Sequence, residues 1–148
     1  MSGYASAVSG SDWERVRQIG SADLLVGIPC YNNAKTVGHV VTAVAQGLAA
    51  HFPGMVGVIV ASDGGSTDGT REVVESTQTP ESVRKLAFQY QGIPGKGSAF
   101  RGLFEVAREV GAKACVVVDS DLRSITPDWV RLLAGPIVRG SAGYVAPF

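Results

Sequence analysis

Residues 114–122 read ACVVVDSDL. Ala114 to Val118 form an unbroken apolar run that ends on Asp119-Ser120-Asp121. A short run of this kind suits a strand covered on both faces, and such strands belong to parallel sheets flanked by helices. In open sheets of that type, ligands bind beyond the carboxyl ends of the strands. The acidic pair therefore stands where a site is expected.

Working outward from this strand, the same alternation repeats. Upstream, residues 98–110 have helical spacing, with Phe100, Leu103, Phe104, Ala107 and Val110 as the expected buried stripe and Arg101–Glu105 as an i,i+4 pair. Gly111 stops that helix. The loop 91–97 precedes it, and residues 83–90 alternate polar and apolar, as an edge strand does. Residues 56–61 (VGVIVA) and 24–28 (LLVGI) are further buried strands. Between them a helix over 34–50 carries Val37, Val40, Val41, Val44 and Leu48, and stops at His51, Pro53 and Gly54. A glycine-rich turn over 63–69 leads into a short helix ending near Thr77. Downstream, Thr126, Pro127 and Asp128 read as the cap and first residues of another helix, and residues 144–148 as the start of a strand. Near the start, Ser11 or Asp12 caps a short helix through Ile19, and residues 1–10 read as a disordered leader. The predicted fold is α/β, a mostly parallel Rossmann-like sheet in the order 3-2-1-4 with helices on both faces. Its switch point lies between strands one and four. A leader over 1–20 and one domain over 21–148 are expected.

Composition agrees. The 148 residues are 45% hydrophobic and 18% charged, which excludes a disordered chain. Nineteen glycines are close to twice the usual share of ~7%. Thirteen basic residues balance thirteen acidic ones and form no stripe, so nucleic-acid binding is not expected. No run is long and apolar enough to span a membrane, and residues 1–20 lack the apolar core of a signal peptide; a cytoplasmic location is the expectation. Cys30 and Cys115 lack metal spacing and read as buried thiols.

Four loops at the carboxyl edge carry the chemistry. They hold Pro29-Cys30-Tyr31-Asn32-Asn33, Ser62 to Gly69, Pro94 to Ser98, and Asp119-Ser120-Asp121. Carboxylates at i and i+2 share a side of an extended segment and call for a cation between them. Mg²⁺ or Mn²⁺ fits, taking oxygen ligands and sharing them with a diphosphate. The plain alternative is two solvated loop carboxylates, with Asp121 capping a turn. Gly95-Lys96-Gly97 opens a helix, so backbone N–H groups and a lysine could meet a phosphate; the alternative is an exposed turn. It is no Walker A loop, because Tyr90 and Gly97 stand where Gly and Ser or Thr are required. Asp63 ends its strand ahead of the turn, where a carboxylate can accept bonds from a base edge or ribose hydroxyl. His39 and His51 belong to the first long helix, Trp129 to packing, and Arg123 is a solvated residue or a phosphate contact.

GIPCYNN, ASDGGSTDGT, PGKGSAF and VVVDSDL, in this order, resemble the nucleotide-sugar-binding half of GT-A glycosyltransferases of the family 2 type. SDGGSTDGT and VDSDLRSITPDW are similar to enzymes that make glucosylglycerate, mannosylglycerate or their phosphorylated precursors. The resemblance implies a UDP- or GDP-sugar donor, Mg²⁺ or Mn²⁺, a small acceptor such as glycerate or phosphoglycerate, and retention at the anomeric carbon. It assigns Pro29 and Tyr31 to the base, Asp63 to base or ribose, and Gly95, Lys96 and Gly97 to base and phosphates. Asp119 and Asp121 become the DxD pair, with Asp119 also a donor contact. Asn33 replaces a frequent family glutamate and stands as a donor-site residue of open role. No histidine follows Asp121, and Asp128 is the only later carboxylate. The chain is therefore expected to be a truncated donor half without its acceptor half, and no catalytic residue is assigned.

Two other functions remain in view. A sugar-phosphate nucleotidyltransferase shares the sheet and metal, but its glycine-rich loop after strand one is absent from IPCYNNAKT. A non-catalytic binding module could pair between chains through the C-terminal strand as a homo-oligomer.

Overall fold

The structure, a computed structural model, describes residues 5–140. The strand expected at 144–148 lies outside them. Among the described residues nine elements follow one another: α1 (Gly10–Ile19), β1 (Leu24–Cys30), α2 (Ala34–His51), β2 (Gly57–Asp63), α3 (Thr70–Ser76), β3 (Val83–Gln89), α4 (Lys96–Val110), β4 (Ala114–Val117) and α5 (Asp128–Val138). The sheet has the predicted order β3-β2-β1-β4, with every pairing parallel.

Side chains on a strand alternate between faces, so the buried strands feed two cores. Leu24, Val26 and Ile28 of β1 pack with Ile59 and Ala61 of β2 against Val37, Val41 and Val44 of α2 and Val130 of α5. Leu25 packs with Val58, Val60, Leu86 and Phe88 against Val16 of α1 and Leu103, Val106 and Val110 of α4. β1 and β2 each run two residues beyond the apolar stretch, because Pro29-Cys30 keep register with Ser62-Asp63. α4 begins at Lys96, two residues earlier than expected, and α1 begins at Gly10 with Ser9 as its cap.

Two expectations are corrected. Phe104 is 53% exposed and does not belong to the buried stripe of α4. The stripe runs through Ala99, Leu103, Val106 and Val110 instead. Small residues let α4 settle close to the sheet: a methyl at Gly102 would lie 2.9 Å from the Phe88 ring. Phe100 and Phe104 are left on the flank as an edge-to-face pair 6.3 Å apart. Second, the leader is not free of the fold over its described part, since Ala7 and Val8 are buried. Both cysteines are free; Cys30 is buried as expected, whereas Cys115 is only partly buried. No helix among the described residues is long and apolar enough to cross a membrane.

Candidate functional site

At the carboxyl edge, where β1 and β4 part company, lies a cavity of about 660 Å³. Three of the four loops reach it with charged or aromatic side chains. β1 brings Pro29, Cys30, Tyr31 and Asn33; the segment opening α4 brings Pro94, Gly95, Lys96 and Ala99; β4 leads to Asp119, Ser120 and Asp121. Tyr90, just past β3, and Gly64, just past β2, complete the wall.

The loops brace one another. Asn33 Oδ1 accepts the Tyr31 N–H at 2.9 Å and the Ser120 hydroxyl at 2.6 Å. Thr36 donates its hydroxyl to the Ser120 carbonyl at 2.9 Å. Ser120 is thereby drawn inward and buried, while Asp119 and Asp121 on either side stay exposed on the cavity. Asn33 thus ties the first loop to the acidic one. The first two loops are laced by the N–H groups of Asn32, Asn33 and Ala34, which donate to Ser66, Thr70 and Asp68. The Thr70 hydroxyl beside Asp68, with the Ala34 and Thr70 N–H groups, holds that carboxyl below the usual range.

Lys96 stands at the first position of α4, behind Gly95, whose φ of 140° favours glycine. Its ammonium is 4.0 Å from Asp119 Oδ1, so cationic and anionic groups face each other across the cavity. The Tyr90 hydroxyl accepts the Gly95 N–H at 2.8 Å, and Ser98 holds the Ile93 carbonyl at 2.5 Å. Tyr31 is 62% exposed and offers an open aromatic face. Cys30 is buried, and burial with the nearby Asp63 charge pushes its thiol up to about 12. It is a neutral wall residue.

Asp63 and Gly97 do not line the cavity. Asp63 is fully buried: its Oδ2 accepts the Gly65 and Ser66 N–H groups at 2.9 and 2.7 Å, and its Oδ1 the Ser66 hydroxyl at 2.5 Å. Arg71 Nε approaches it to 3.5 Å. Asp63 holds the turn in this structure rather than presenting an oxygen to the cavity. Gly97 is exposed one residue inside α4, turned away from the wall by the helix.

Residues 25–148 match glycosyl transferase family 2. The chain belongs to that family. No curated protein matches the chain in sequence. Among solved structures, the glucosyl-3-phosphoglycerate synthase of Mycobacterium tuberculosis, solved with Mn²⁺, UDP and glucosyl-3-phosphoglycerate, is 22% identical with a TM-score of 0.59. That match covers 92% of this chain and 46% of the other. The mannosyl-3-phosphoglycerate synthase of Rubrobacter xylanophilus is 26% identical with a TM-score of 0.60, over 84% of this chain and 38% of the other. These likenesses establish the fold. The family 2 chain spans less than half the length of either solved chain.

The donor set fits a hard divalent cation as a half-shell. Asp119 and Asp121 bring exposed oxygen ligands, and among the described residues no group of three His, Cys, Asp or Glu forms around them. Mg²⁺ and Mn²⁺ accept such sites because water and substrate oxygens fill the remaining positions. Tyr90 and Ala99 are wall residues that the sequence reading passed over. Ala99 was within reach, because it lies three residues after Lys96 and so on the same helix face. Tyr90 falls in the stretch 83–90 read as an alternating edge strand, whereas β3 ends one residue before it.

Proposed function

We propose that this chain is the donor-binding half of a metal-dependent hexosyltransferase that uses a UDP- or GDP-sugar and a small acidic acceptor such as glycerate or phosphoglycerate. The observation that carries the reading is the convergence of Asp119, Asp121 and Lys96 on one cavity beside the open face of Tyr31. Transfer breaks the bond between the anomeric carbon and a diphosphate, so negative charge grows on the leaving group. Lys96 and the N–H groups opening α4 lie where they can meet that charge. Asp119 and Asp121 would hold the cation, and Asn33 keeps Ser120 inward so that both carboxylates face the cavity. When bound, Mg²⁺ or Mn²⁺ supplies Lewis-acid stabilisation of the departing diphosphate. Tyr31 and Pro29 offer a flat apolar wall for the base. The phosphoglycerate synthases among the solved relatives support the choice of acceptor. The acceptor is assigned to the part of a longer enzyme beyond this half.

Calorimetry with UDP, UDP-glucose and GDP-mannose, with and without Mn²⁺, tests the reading. The expected result is Mn²⁺-dependent binding, weakened about tenfold or more by Asp121→Ala and several-fold by Lys96→Ala. Metal-independent binding that survives Asp121→Ala would sink the carboxylate assignment. Pyrophosphate release from a nucleoside triphosphate and a sugar phosphate would replace glycosyl transfer with nucleotidyl transfer.

A further inference from the structure

The segment 91–95 between β3 and α4 is exposed throughout, and its Pro94 and Gly95 line the cavity. It buries no side chain to hold it, so its order depends on hydrogen bonds at a few points. One of them comes from the far end of the chain: the Gln91 N–H donates to the Ala7 carbonyl at 2.8 Å. Ala7 belongs to a strap over residues 5–8 that lies along α4. The Ser6 hydroxyl and the Ala7 N–H, the latter at 3.1 Å, both donate to the carboxylate of Glu105. Trp13 Nε1 donates to the Ser6 oxygen at 3.1 Å, and Arg101 to the Ala5 carbonyl at 2.6 Å. Glu105 is only 26% exposed, and Arg101 Nε lies 3.6 Å from it.

We propose that Glu105 is a positioning residue for the donor cavity. It lies about 14 Å along α4 from Lys96, at 1.5 Å per residue, and touches nothing in the cavity. It acts through the strap: its carboxylate holds Ser6 and Ala7, Ala7 holds Gln91, and Gln91 continues from Tyr90, whose hydroxyl holds Gly95. Two strap donors converge on one carboxylate, so a single substitution releases both, and hydrogen bonds to a charged acceptor are the stronger kind. The placement of the strap stands on its own, and only the affinity arm of the test rests on the donor-binding reading.

Amide exchange by NMR on the ligand-free 148-residue chain decides it. Glu105→Ala is expected to speed exchange at Gln91 and Gly95 about tenfold, while Gly65 and Ser66, held by Asp63, keep their rates. UDP with Mn²⁺ is expected to bind about threefold to tenfold more weakly. Glu105→Gln, which still offers an acceptor to Ala7 and an amide to Ser6, is expected to restore most of both. Glu109→Ala, an exposed acid on the same helix, is expected to change neither. Unchanged exchange at Gln91 in Glu105→Ala overturns the proposal. So does an equal effect from Glu109→Ala, or a uniform rise at every amide that Glu105→Gln fails to reverse. If the unsubstituted chain binds no UDP, the donor reading fails while the exchange measurement still decides the role of Glu105.

Discussion

Asp63 ends β2 and Asp119 lies two residues past β4 at the same sheet edge, and replacing each by alanine separates two kinds of aspartate. Asp63 is fully buried, accepts three hydrogen bonds from Gly65 and Ser66, and has Arg71 at 3.5 Å. Each bond to a charged acceptor contributes about 1.5–3 kcal/mol net. Removing one partner of a buried ion pair costs about 3–5 kcal/mol. These costs do not add, because Gly65 and Ser66 are half-exposed and can regain water, and the Arg71 side chain is 36% exposed. The net expectation for Asp63→Ala is about 3 kcal/mol of lost stability, with about half of that for Asp63→Asn, which keeps the shape and one acceptor. At about 3 °C per kcal/mol for a chain of this size, Asp63→Ala should melt about 9 °C lower. Asp119 is 57% exposed and pairs only loosely with Lys96, so Asp119→Ala should stay within about 0.5 kcal/mol of the parent. Urea titration and thermal melts followed by circular dichroism measure both. An Asp63→Ala chain that melts within about 2 °C of the parent would refute the view that this carboxylate holds the turn.

Two further outcomes follow from packing and burial. A methyl at Gly47 in α2 would lie 2.4 Å from the Pro127 carbonyl and 2.9 Å from Val130, and backbone cannot step aside as a flexible side chain can. Gly47→Ala gains helix propensity of up to about 1 kcal/mol, yet overpacking of about 1–3 kcal/mol or more should leave it destabilised in urea; a stabilised variant would contradict the close approach of α2 and α5. Burial pushes Cys30 up to about 12 and Cys115 up to about 11 from the ordinary 9.0. Both thiols are raised in the folded state, so the stability they contribute is complete below about pH 9 and is lost as pH climbs toward about 11 and 12. Urea midpoints across that range, and slow reaction of the native chain with a disulfide reagent at pH 8, check this.

Much of the scaffold was legible because it rests on local patterns. The apolar runs 24–28, 56–61 and 114–118 marked the strands, and the spacing of Val37, Val41, Val44 and Leu48 marked α2. Loop composition pointed to the right edge of the sheet, where the cavity lies. The remaining differences share a cause. Phe104 fits a helical stripe by spacing, but Gly102 and Ala99 let α4 roll close to the sheet and turn Phe104 outward. Asp63 reads like a site residue, but the N–H groups of its own turn claim its oxygens. The Ser-, Gly- and Ala-rich start carries no periodicity, yet Ala7 and Val8 are buried: Glu105 holds the Ala7 N–H and Val8 joins the core with Val16 and Leu103.

By itself the sequence determined the parallel α/β architecture, the order of its strands and which four loops gather at one edge. Strand period, apolar run length and the right-handed crossover are properties of short segments or of all such chains, so no partner need be known. Tertiary structure alone decided which carboxylates face the cavity, that Asn33 braces the acidic loop, and that Ala7 bonds Gln91 next to the wall residue Tyr90. Those outcomes depend on partners such as Ser120, Glu105 and Gln91, which lie more than 80 residues away along the chain from Asn33, Ser6 and Ala7. Only folding sets the distances between groups so far apart in sequence.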